Sequence, residues 1–63
     1  KQADTDYLQS IIDQTIADPL ASDIADKLGE IFGRNAGDAE METLIEQAAM
    51  AYQNAVMQAT ANL

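Results

Sequence analysis

Apolar residues recur along this chain at spacings of three and four, in three separate runs. The first holds Leu8, Ile11, Ile12, Thr15 and Ile16, the stripe of an amphipathic helix. It predicts a helix from Asp4 or Thr5 to Ala17, with one of the first two residues as N-cap and Asp6 at the positive end of the helix dipole. The second run holds Leu20, Ile24, Leu28, Ile31 and Phe32. Asp18-Pro19 opens it, with Asp as N-cap and Pro at the first helical position, where its missing N–H costs nothing. Gly33 is the expected left-handed cap at its end.

Residues 33–37, Gly-Arg-Asn-Ala-Gly, form the expected loop, and either Asn35 or Asp38 caps the third helix. That helix opens with Asp38, Glu40 and Glu42, as the dipole prefers. Its stripe is Met41, Leu44, Ile45, Ala48, Tyr52, Ala55, Val56 and Ala59, and it can run to about Asn62.

Helical phase separates the first two runs. At about 100° per residue, the first stripe centres near 85° and the second near 250° on one wheel. A straight helix would turn its two apolar halves to nearly opposite sides, so the chain is expected to break at Asp18-Pro19. The expected fold is all-α: two short helices covering one face of a C-terminal helix about twice as long as either, in a single domain spanning 1–63. Its core is Leu8, Ile11, Ile12, Ile16, Leu20, Ile24, Leu28, Ile31, Phe32, Leu44, Ile45, Tyr52 and Val56.

Charge alters this picture at the C-terminal end. All three cations and eleven anions lie before Gln47, so Gln47–Leu63 carries no charged side chain. A solvated helix ordinarily keeps Lys, Glu or Arg on its outer face. On the wheel, Met50 and Met57 fall near 310°, almost opposite the main stripe near 140°. Against the alternative of a tolerated Ala-rich exterior, two methionines on the back of a charge-free half helix read as a second interface. The residues assigned to it are Met50, Gln53, Asn54, Met57 and Ala61.

The chain is small and has no Cys or His, so neither a disulfide nor a zinc site can staple it. Self-association through the C-terminal helix would supply the missing burial. The formal charge of −8 opposes direct binding to nucleic acid and to anionic membrane surfaces. No apolar run approaches a membrane span, and the lack of Cys fits the cytoplasm.

Catalytic chemistry is hard to assemble from these residues. There is no thiol and no imidazole, and Ser10 and Ser22 have no activating base nearby in sequence. Lys27 stands four residues after Asp23, the spacing of a surface ion pair. Asp23, Asp26 and Glu30, like Glu40, Glu42 and Glu46, read as solvated faces. Asp4-x-Asp6 begins like a calcium loop, but the sixth position is Gln9 where that loop needs Gly. The loop at 33–37 has neither phosphate-loop spacing nor its following Lys, and Arg34 reads as a solvated loop residue.

The expected function is therefore a non-catalytic protein-interaction module or small regulator, with no cofactor and no metal. It forms a homodimer or higher oligomer, with another protein as a further partner. Two alternatives remain: an acidic decoy for a basic, nucleic-acid-binding protein, and a structural subunit of a larger helical assembly. Salt-sensitive capture of a basic partner would favour the decoy, concentration-dependent polymerisation the assembly, and a closed dimer the regulator.

Overall fold

The computed structural model describes residues 2–63 as three packed helices, α1 (Gln2–Ala17), α2 (Ile24–Arg34) and α3 (Ala39–Ala61), with no strand among them. The long axis of 38 Å is set by α3. Its 23 residues are twice the length of α2, but only about half as long again as the 16 of α1.

The contacts fix the helix directions. Asp23 and Lys27, at the start of α2, both bond Gln14 near the end of α1, at 2.7 and 2.9 Å. Arg34, at the end of α2, reaches Asp4 at the start of α1 at 3.0 Å. Hence α2 runs back along α1. Thr5 meets Met41 through a hydroxyl–sulfur contact of 4.0 Å, and further along Ile16 shares a surface with Ala55. Hence α3 runs parallel to α1.

The core contains Leu8, Ile11, Ile24, Leu28, Ile31, Met41, Ile45 and Ala48, with Tyr7, Ile12, Ala21, Ala49 and Tyr52 packed at its edge. Buried Thr15 satisfies its hydroxyl by donating to the Ile11 carbonyl at 2.9 Å. Tyr52 and Val56 are only half-buried, because the helices that cover α3 concentrate on its N-terminal half.

Several expected features fall elsewhere. The chain does break after α1, but α2 begins at Ile24, not at Pro19. The Asp18 amide still closes the last turn of α1 on Gln14, and the Ala21 amide then turns back to the Asp18 carbonyl. Reversing direction takes residues 18–23, so Leu20 is spent in the turn and stays exposed.

Helix α1 likewise starts at Gln2, ahead of the expected caps. Asp4 is therefore inside the first turn, and its carboxylate is used on α2. Gly33 does not end α2. The helix runs on through Arg34, and buried Asn35 forms its C-cap, with its amide side chain donating to the Ile31 carbonyl at 2.8 Å and to Asp4 at 3.1 Å. The left-handed residue of this loop is Gly37, at φ 90°. Asp38 caps α3, accepting from the Met41 amide at 3.2 Å.

Ile16, Phe32 and Leu44 are also not core residues. Phe32 sits about 100° around the helix from Ile31 and is left 40% exposed. Ile16 and Leu44 lie on a flank that no third helix covers, described next.

Candidate functional site

Helix α2 packs on one side of the α1–α3 pair, and the other side of that pair is open. There the two parallel helices form the walls of a groove. The α1 wall consists of Thr5, Leu8, Gln9, Ile12, Thr15 and Ile16, and the α3 wall of Leu44, Gln47, Ala48, Ala51 and Ala55, with Ile11 beneath. The part nearer the N-termini holds about 300 Å³ and the part nearer Ile16 about 170 Å³. Ile12, Ala48 and Ala51 line both, so the groove is continuous. From Leu44 to Ala55 it runs about 16 Å, three turns of helix.

No lining residue is charged and no residue of α2 reaches the groove. Alanines on the α3 wall keep the floor low. Ile16 is 78% exposed and Leu44 40%, an apolar surface left facing water. The reason is local: the stripe of α3 is wider than two helices can cover. Its Met41–Ile45 side enters the core, while its Leu44–Ala51 side is left open.

The five residues expected at the interface lie on the adjoining face. Met50 and Met57 are 69% and 68% exposed. With Ala51, Gln53 and Asn54 they border a shallow depression. Ala61 is exposed one turn beyond Met57. Ala51 belongs to both this depression and the groove. The methionine face and the groove thus form one charge-free surface around α3. The groove itself escapes a reading of periodicity, because Ile12, Ile16 and Leu44 have core spacing. A signal for it exists in Gln47 and Ala51, which widen the uncharged sector on that side of the stripe.

Ionic contacts concentrate on the opposite side. Arg34 pairs with Asp4 at 3.0 Å and with Glu30 at 2.6 Å, and its guanidinium lies 5.3 Å from the Tyr7 ring centre. It is thus the last residue of α2, tied to α1, and not a loop arginine, although its side chain stays 44% exposed. Hydrogen bonds from Asn35 and then Arg34 hold the Asp4 carboxyl below its usual value, and Glu30 and Asp4 raise that of Arg34. The expected pair of Lys27 and Asp23 forms at 3.1 Å, and Lys27 followed by Gln14 lowers the Asp23 value. Among the described residues no group of three or more carboxylates is placed to hold a metal ion, and no helix is long and apolar enough to cross a membrane.

No protein-family model, curated protein or solved structure matches this chain.

Proposed function

We propose that this protein is a non-catalytic protein-interaction module that self-associates through the C-terminal half of α3. The observation that supports it is the pair Met50 and Met57, each more than two-thirds exposed on a stretch without charge. Exposed methionines adapt to an apposed surface, and alanines beside them let two helices approach closely. A two-fold contact needs only one self-complementary patch. The anions all precede Gln47, so two such half helices can meet with little repulsion. The lack of cysteine goes with a reducing, cytoplasmic setting.

Replacing Met50 and Met57 together by Glu tests this reading. Light scattering is expected to give a dimer for the wild type and a monomer for the double variant. A wild-type mass that stays dimeric in the double variant would move the contact off this face. Circular dichroism checks that the variant remains helical.

A further inference from the structure

The geometry points to the α1–α3 groove as the seat of a second kind of partner: an amphipathic helix of another protein, apolar on one side and cationic along its flanks. The inference rests on the reading of the chain as an interaction module, but not on its self-association.

Shape selects a helix. The groove is straight, about three turns long and walled by two parallel helices. An amphipathic helix laid in such a groove buries side chains at i, i+4 and i+7. It would complete a four-helix arrangement and cover Ile16 and Leu44, the apolar residues that α2 leaves bare.

Charge selects the kind of helix. Gln9, on the α1 wall, donates to Asp13 at 3.1 Å, so the Asp13 carboxylate is held beside a residue that lines the groove. Asp6, seven residues earlier on the same face, accepts from Gln2 at 3.0 Å. Both partners are neutral, and among the described residues no cation pairs with either carboxylate. The described cations, Lys27 and Arg34, are on α2 and are engaged with Asp23, Asp4 and Glu30. The α1 rim of this uncharged floor is therefore anionic, and among the described residues a second copy of this chain offers no cation that is not already paired. A partner with Lys or Arg beside its apolar stripe does.

Two synthetic helical peptides test the assignment. Both carry Leu at i, i+4, i+7 and i+11; one has Lys at the flanking positions and the other Glu. Binding is followed by amide shifts of the full chain, with solution mass recorded in the same samples. Mass reports on self-association and shifts report on the groove, so the two readings fail separately. The Lys peptide is expected to move Ile12, Ile16, Leu44 and Ala51 and to bind at least about tenfold tighter than the Glu peptide at low salt, the gap narrowing as salt rises. Reversing the rim with Asp6→Lys and Asp13→Lys is expected to invert that preference. Ala51→Arg, at an exposed floor position, is expected to block both peptides while leaving the fold intact. Equal affinity for the two peptides, shifts centred outside the groove, or no response to the Lys peptide at about millimolar concentration would overturn the assignment.

Discussion

Asp4 and Arg34 meet at 3.0 Å although 30 residues of chain separate them. The contact fastens the end of α2 to the start of α1, and Asn35 donates to the other Asp4 oxygen at 3.1 Å. One carboxylate therefore serves both the C-cap of α2 and the last cation of that helix. The same pairing holds Arg34 on the α2 side of the molecule and leaves the groove side without it.

A pH dependence follows from the lowered Asp4 value. A carboxyl whose folded value lies below its unfolded value stabilises the fold above the ordinary range near 3.8. That contribution fades as pH falls through the folded value. Thermal melts of wild type and Asp4→Asn should therefore differ most above the ordinary carboxylate range and converge as pH falls below it. Comparing the two proteins at each pH removes the general relief of repulsion that acidification brings to an acidic chain. A gap that widened on acidification would contradict the role given to Asp4.

Ile31 and Ile16 separate core from groove. Ile31 is fully buried and Ile16 is 78% exposed. Ile31→Ala is expected to cost about 2–5 kcal/mol, enough to unfold much of so small a domain. Ile16→Ala is expected to cost under about 1 kcal/mol, since most of its surface is already in water. Urea titrations of both variants measure this. Equal losses would mean that the groove is closed in solution.

The glycine inside α2 and the glycine of the following loop should respond in opposite directions. Gly29 lies inside α2, and a Cβ added there meets nothing within 4 Å. Gly29→Ala is expected to stabilise by about 0.5–1 kcal/mol through helix propensity. Gly37 has equal space but a φ of 90°, a conformation that L side chains resist. Gly37→Ala is expected to destabilise by about 1 kcal/mol or more. Melting temperatures of the two variants decide the signs.

Much of the architecture can be read from spacing alone. Leu8, Ile11, Ile24, Leu28, Ile31 and Ile45 occupy the core that their periodicity predicts. Asp38 caps α3 as its place before an acidic first turn implies. The failures share a cause, because periodicity marks which side chains are apolar but not whether a neighbour covers them. Leu44 and Ile45 have equal claims on the stripe, yet only Ile45 faces the core. The turn at 18–23 was hidden for a related reason. Asp18-Pro19 has good helix-start chemistry, while the need to reverse direction against α1 is a tertiary constraint. Asn35 reads from the sequence as a candidate cap of α3, yet it ends α2, because an Asn between helices can do either. The methionine face was legible because both residues point away from the stripe on a segment without charge. The groove was not, because it is built from residues of two stripes.

The most direct measurement of self-association through α3 is a dilution series of amide spectra, from about 1 mM to about 10 µM, with sedimentation equilibrium on the same samples. The expected result is a dimer at the upper end whose dilution shifts centre on Met50, Gln53, Asn54, Met57 and Ala61. The buried Ile24 and Ile31 amides should stay still. A monomeric mass with unchanged spectra across the whole range would contradict self-association through this face.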